Sequence, residues 1–206
     1  MIPFEELRNR LQNPDVINNP LKRHLWIVAI LTEALKTIGE RPVLVGGETL
    51  EYYIEDEDKQ NKPDILVKPV RYTTGGIDIV LPGTDEVNSI FSKLGFHKEG
   101  RCWIREDIDV TIEAKSFDLA GGDDSLIEVK IEDMSCFIIG FEDMIIDRLD
   151  SYIHEHLEDA RNWIKGVLSV HGQEINKEYL FRKAKKHSSE EALNKIFEEL
   201  GEDRGI

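Results

Sequence analysis

TTGGIDIV, Thr73 to Val80, sets a carboxylate inside an apolar run. Along a strand successive side chains alternate, so Gly76, Asp78 and Val80 share one face. An acid in such a run is expensive to bury unless it is paired or holds a cation. Asp78 is therefore the most informative residue of the chain. Two neighbouring stretches belong with it. VLVGG, Val43 to Gly47, is a short buried strand running into two glycines and then a helix, Glu48 to Ile54. Such a turn lets backbone approach another group closely, and the helix N–H groups behind it can cradle a phosphate. A tight turn alone needs glycine just as often. DIDVTIEAK, Asp107 to Lys115, puts Asp109, Thr111 and Glu113 on one face, opposite Ile108, Val110 and Ile112. If that strand lies beside Asp78, one carboxylate from each can hold a divalent ion, and hard oxygen ligands suit Mg²⁺, or Mn²⁺ in its place. The alternative is that Asp109 and Glu113 face solvent.

Outward from these stretches the pattern is mixed. Phe4 to Leu11 reads as a helix. Asn19-Pro20 then supplies a cap and a first-turn proline for a helix to about Ile38. Its Leu21, Leu25, Val28, Thr32 and Leu35 recur at steps of four and three, a core-facing stripe. Glu55 to Lys62 reads as a polar loop and Ile65 to Val70 as a weak strand. Ile77 to Leu81 is a strand closed by Pro82-Gly83, with Thr84 or Asp85 capping a helix to about Leu94. Arg101 to Arg105 and Ile108 to Ala114 pair as a hairpin. Leu126 to Ile131 and Cys136 to Ile139 form a second pair, after the loop of Gly121-Gly122-Asp123-Asp124. Beyond Phe141 the signal is helical: Glu142 to His154, Glu155 to Ser169, Lys177 to Lys186, and Ser189 to Leu200. Ser188 to Glu191 has the capping-box spacing. The expected organisation is an α/β domain over 1–140 and a helical domain over 141–206.

The 206 residues, 40% hydrophobic and 33% charged, describe an ordinary globular chain. The longest apolar run, Leu25 to Leu31, is far short of the ~20 residues that span a bilayer, and the N-terminus has no secretory pattern, so a cytoplasmic location is expected. Cys102 and Cys136 read as buried free thiols. A formal net charge of −15 disfavours nucleic acid and anionic membranes as partners. The basic cluster Arg182, Lys183, Lys185, Lys186 and His187 reads as a solvated helix face. His154 and His156, two apart on a helix, cannot chelate as an i, i+4 pair would.

Taken together, VLVGGETLEYY, TTGGIDIVL and REDIDVTIE resemble the polymerase-β-like nucleotidyltransferase superfamily, nearest its bacterial branch related to AbiEii-type toxins. IIGFEDMIIDRLDSYIHEHLEDARNWI is similar to that family's next landmark, and the likeness covers most of Arg41 to Val167 at pattern level. It implies a nucleotidyltransferase-type mixed sheet flanked by helices, with a small helical C-terminal domain. It further implies Mg²⁺-dependent transfer of a nucleotide from a nucleoside triphosphate to a hydroxyl, on a protein or RNA acceptor. Gly46 and Gly47 would sit under the triphosphate, with Thr73 or Thr74 offering a hydroxyl nearby. Asp78 would match the second metal acid and Asp109 the third, with Glu113 as the alternative; these acids would be both catalytic and metal-binding. Arg148 stands where the family has a phosphate-reaching lysine, and Asp159 where it has a helix carboxylate. One position departs from the pattern: the first metal acid should fall at 76, which is Gly76. In two-metal phosphoryl transfer the acids hold both ions, so the loss opens a second expectation, a degenerate module that binds a nucleotide or a protein without turnover. A toxin of a toxin–antitoxin pair is a narrower form of the first.

Overall fold

Asn19 and Pro20 begin the longest apolar helix in the manner their order dictates. The Asn19 side chain accepts the Lys22 N–H at 2.9 Å, and Pro20 occupies a position whose N–H would have no intrahelical partner. The computed structural model describes residues 2–12, 19–54, 76–115 and 125–201. Within them the chain is mixed α/β. Helix α1 is Phe4–Leu11 and α2 is Pro20–Leu35. Strand β1 (Val43–Leu44) leads into α3 (Gly47–Ile54). Then follow β2 (Ile77–Val80), α4 (Asp85–Lys93), β3 (His97–Glu99), β4 (Cys102–Arg105) and β5 (Val110–Lys115). The hairpin β6 (Leu126–Ile131) and β7 (Met134–Ile139) precedes α5 (Phe141–Glu155), α6 (Glu158–His171), α7 (Lys177–Lys186) and α8 (Glu190–Leu200). The weak strand expected at Ile65 to Val70, the loop at Glu55 to Lys62 and the glycine loop at Gly121-Gly122 lie outside the described residues.

The seven strands form one mixed sheet in the order β3-β4-β5-β2-β1-β7-β6. Its centre alternates direction: β2 is parallel to β5 and antiparallel to β1, while β1 is parallel to β7. Helix α2 packs across β7 and is buried from Leu25 through Leu35, including Thr32 and Glu33. The stripe expected from its spacing is thus only part of its contact surface, as for any helix apolar all round. Thr32 returns its hydroxyl to the Val28 carbonyl at 2.8 Å, and Glu33 pairs with Lys36, so neither polar side chain is orphaned. Helix α4 contacts α2, and its Phe91 meets Phe96 and Trp103 at ring separations of 5.5 and 4.4 Å.

Two compact units divide the chain, 1–52 with 72–139 and 53–71 with 140–206. In the second, α5 to α8 close over Met144, Ile145, Leu149, Ile164, Leu168, Leu180 and Ile196, all buried. Buried Asp143 accepts the Tyr179 hydroxyl at 2.9 Å and the Lys183 ammonium at 2.9 Å, and Asp150 faces His187 at 2.9 Å. Two members of the basic cluster therefore point inward to carboxylates, while Arg182, Lys185 and Lys186 are exposed. The capping box expected at Ser188 is not made. Ser188 has φ +60°, α8 starts at Glu190, and the Ser189 hydroxyl bonds back to the Ala184 carbonyl. Among the described residues no helix is long and apolar enough to cross a membrane.

Arg105 staples the first unit. Only 2% of its side chain is exposed, and its guanidinium donates to both Asp107 oxygens at 2.9 Å and to the Leu94 carbonyl at 2.9 Å. Arg105→Ala is expected to cost roughly 2–3 kcal/mol, because a buried carbonyl loses its donor as packing is lost. Asp107→Asn, at an exposed partner, should cost about 1 kcal/mol or less. Urea unfolding of both variants checks this ordering; equal losses would contradict it.

Candidate functional site

The site grows from the turn between β1 and α3. Leu44 stands opposite Ile79 in the antiparallel pair, and the Val45 N–H donates to the Asp78 carbonyl at 3.0 Å. The next residue, Gly46, turns the chain with φ +79°. A β-carbon there would lie 2.7 Å from Asp78 Oδ2 and 3.1 Å from Asp78 Cβ. Only glycine satisfies both the dihedral and the space. Helix α3 starts immediately afterwards, and buried Thr49 pins the turn by donating its hydroxyl to the Gly46 carbonyl at 2.7 Å. The close approach is made by Gly46, and the group approached is the Asp78 carboxylate.

The parallel register of β2 and β5 selects the second carboxylate. Asp78 stands opposite Glu113. Asp109 does not join them. It is exposed, has φ +50°, and closes a 3₁₀ turn over Glu106–Ile108, so the strand begins only at Val110. Four residues along an extended strand is about 13 Å, which removes Asp109 from the pair. The alternating pattern of DIDVTIEAK reads through that turn as though it were strand.

A cation already joins the two carboxylates. Lys115, two residues beyond Glu113 on the same face, brings its ammonium within 2.9 Å of Glu113 Oε2 and 3.3 Å of Asp78 Oδ1. Arg101 reaches Glu113 Oε1 at 3.1 Å, but it is 80% exposed, whereas Lys115 is 28% exposed. Exposed pairs contribute roughly 0–1 kcal/mol, so Lys115 is the partner that matters. Its hydrogen bond is the main influence lowering the Glu113 pKa, against burial, with the charges of Lys115 and Arg101 adding to it. Burial pulls Lys115 downward. The Glu113 hydrogen bond and the charges of Asp78 and Glu113 outweigh it and hold the ammonium above its usual value. Lys115 and Arg101 are the residues that motif reading passes over. The signal available was the two-residue spacing from Glu113 to Lys115.

Other expected positions fall elsewhere. Gly76 lies against Thr111, where an added β-carbon would sit 3.2 Å from the Thr111 carbonyl oxygen. An acid at 76 would therefore need its neighbour to give by a few tenths of an ångström. Thr73 and Thr74 lie outside the described residues. Arg148 belongs to the second unit, where it pairs with Asp147 at 2.8 Å, and Asp159 is exposed in the first turn of α6. Cys102 and Cys136 are free thiols; burial pushes Cys136 up to about 12, which leaves it inert at neutral pH.

The donor set does not suit a magnesium pair. Mg²⁺ takes near-ideal octahedral oxygen ligands at about 2.0–2.1 Å. Here two carboxylates, Asp78 and Glu113, are opposed, position 76 is glycine, Asp109 lies apart from them, and an ammonium stands between the opposed pair. Among the described residues no three His, Cys, Asp or Glu side chains converge as a metal site. Compared with protein-family models, curated proteins and solved structures, the chain matches none.

Two outcomes follow from this geometry. Gly46→Ala should destabilise by roughly 2–3 kcal/mol, more than Gly39→Ala at about 1 kcal/mol. Gly39 shares the positive φ (+75°) but has nothing within 4 Å of an added β-carbon. Adding Asp78→Ala to Gly46→Ala should recover part of the difference in a double-mutant cycle on urea unfolding; additive losses would remove the contact from the account. The second outcome concerns pH. A carboxylate with a lowered pKa stabilises the fold above its ordinary value of 4.5 and loses that contribution as pH falls through the folded value. An ammonium held above 10.5 stabilises below that value and loses its contribution as pH rises through its folded value. The stability difference between the unmodified chain and Glu113→Gln should thus be flat from about pH 5 to 10 and close in acid. A difference that grows in acid would contradict the pairing.

Proposed function

We propose that this chain is a nucleotidyltransferase-type fold that binds a nucleoside triphosphate and has lost transfer chemistry. The observation that carries the loss is the Lys115 ammonium shared by Asp78 and Glu113, together with glycine at position 76. In transfer, acids at these positions would hold the ions that clamp the attacking and leaving oxygens. Here two carboxylates and the cations of Lys115 and Arg101 make a formally neutral group, and no step through a metal is drawn from it.

The binding half of the reading rests on the turn. Gly46 and Gly47 bring backbone to the start of α3, and the first N–H groups of a helix favour negatively charged oxygen. Lys115 offsets the carboxylate behind that turn, so an approaching phosphate meets less repulsion than the net charge of −15 implies. The residues of this chain bind and orient; none is assigned a proton to move.

Calorimetric titration with ATP, GTP, CTP and UTP, each with Mg²⁺ and with a chelator, tests the proposal. At least one nucleotide is expected to bind, with similar affinity in both conditions, and no pyrophosphate release should rise above background. Pyrophosphate release that disappears in Asp78→Ala would restore the Mg²⁺-dependent transferase. Failure of all four nucleotides to bind would overturn the nucleotide reading in favour of a fold kept for contacts with another macromolecule.

A further inference from the structure

We infer that strand β6 is a self-complementary edge through which two copies of this chain pair antiparallel, about a two-fold axis at Val129 that sets each Glu128 opposite Lys130 of the second copy. The inference stands apart from nucleotide binding. β6 lies two strands from β1 in the sheet, and none of its residues belongs to the turn at Gly46.

Three observations carry it. First, β6 ends the sheet, and among the described residues β7 is its only ladder partner. The opposite edge, β3, is three exposed residues, His97-Lys98-Glu99, the short and polar kind of edge that resists pairing. β6 has six residues and no proline, and its register with β7 runs without a bulge from Leu126↔Ile139 to Ile131↔Met134. Second, the direction of its outer backbone groups is fixed. The two-residue turn Glu132-Asp133 makes Ile131 and Met134 the hydrogen-bonded closing pair. Hydrogen-bonded and non-hydrogen-bonded pairs alternate from there, so Ile127, Val129 and Ile131 bond to β7. Leu126, Glu128 and Lys130 therefore turn their N–H and C=O groups outward. Third, the edge is accessible. The side chains of Lys130 and Glu128 are 72% and 44% exposed, and Ile127, Val129 and Ile131 are half-buried.

These constraints select one register. In a symmetric pair, outward-facing backbone must meet outward-facing backbone, so Leu126, Glu128 and Lys130 stand opposite members of the same set. A two-fold at Glu128 sets that carboxylate against itself, and one at Lys130 sets ammonium against ammonium. Like charges directly opposite are destabilising. A two-fold at Ile127 pairs Glu128 with Leu126 and leaves Lys130 opposite no residue of β6. A two-fold at Val129 pairs Glu128 with Lys130 twice, each time at a hydrogen-bonded position. On the other face Val129 then meets Val129, and Ile127 meets Ile131, at the closer non-hydrogen-bonded positions. Val129 and Ile131 stand opposite buried Cys136 and Met134 of β7, so the pairing extends an apolar surface already begun. Within one chain Lys130 pairs with Glu128 and donates to the Ser135 hydroxyl at 3.0 Å. In the pair it exchanges one exposed carboxylate for another. The contact is isologous and closes at two copies.

Sedimentation velocity over a concentration series tests this on the full chain without nucleotide. The unmodified chain is expected to pass from monomer to dimer as its concentration rises. Glu128→Lys and Lys130→Glu each set like charges opposite at both pairs, and each should weaken the dimer at least about tenfold. An equimolar mixture of these two variants restores opposite charges at both pairs, and should dimerise as the unmodified chain does. Glu128→Pro removes an outward N–H without touching the β7 ladder, and serves if a charge variant fails to fold; it should stay monomeric. A chain monomeric at every concentration, a dimer indifferent to both charge variants, or charge variants that stay monomeric when mixed would each overturn the inference.

Discussion

The head of α3 is placed by one approach, Gly46 backbone against the Asp78 carboxylate. Two ordinary constraints meet there. The chain must leave β1 through a positive φ to begin a helix, and the strand beside it carries an acid on the same side. A side chain at 46 would fail on both counts. The Val45 N–H bonded to the Asp78 carbonyl fixes the backbone on one side, and Thr49 fixes it on the other. From the same strand the Asp78 carboxylate reaches Lys115 of the neighbouring strand, β5.

What it meets there decides the chemistry. Glu113 is also a carboxylate, and two such groups side by side in a half-buried place require positive charge between them. A metal ion is one way to supply it. This chain supplies it covalently, from Lys115 two residues further along the same strand. The arrangement pairs the two carboxylates within the chain, with Asp109 turned away from them. In the function proposed above, that pairing and the loss of transfer chemistry have the same cause.

Several local signals in the sequence were sufficient by themselves. Asn19-Pro20 starts α2 as its side chain and ring dictate, Thr84 caps α4 through the Val87 N–H, and Gly46 turns where an acid strand follows. Other features depend on pairing across the sheet. Register between β2 and β5 is a tertiary property, and it put Glu113 rather than Asp109 opposite Asp78. The 3₁₀ turn over Glu106–Ile108 is hidden because three residues of turn preserve the apolar–polar alternation of a strand. Ser188 had capping-box spacing, yet its positive φ and the bond of Ser189 to Ala184 take the helix start one residue on. Lys115 carries an ordinary meaning at a strand end until both carboxylates are located. The burial of α2 on all sides likewise depends on what covers it, which its own spacing does not encode.

The most direct measurement is anomalous diffraction at the manganese edge from crystals of the unmodified chain grown with Mn²⁺ and a nucleoside triphosphate. No manganese is expected between Asp78 and Glu113, with the Lys115 ammonium touching both carboxylates and the nucleotide phosphates against the Gly46–Gly47 turn. A manganese peak bridging the two carboxylates, with Lys115 swung away, would contradict it and return the site to metal-dependent chemistry.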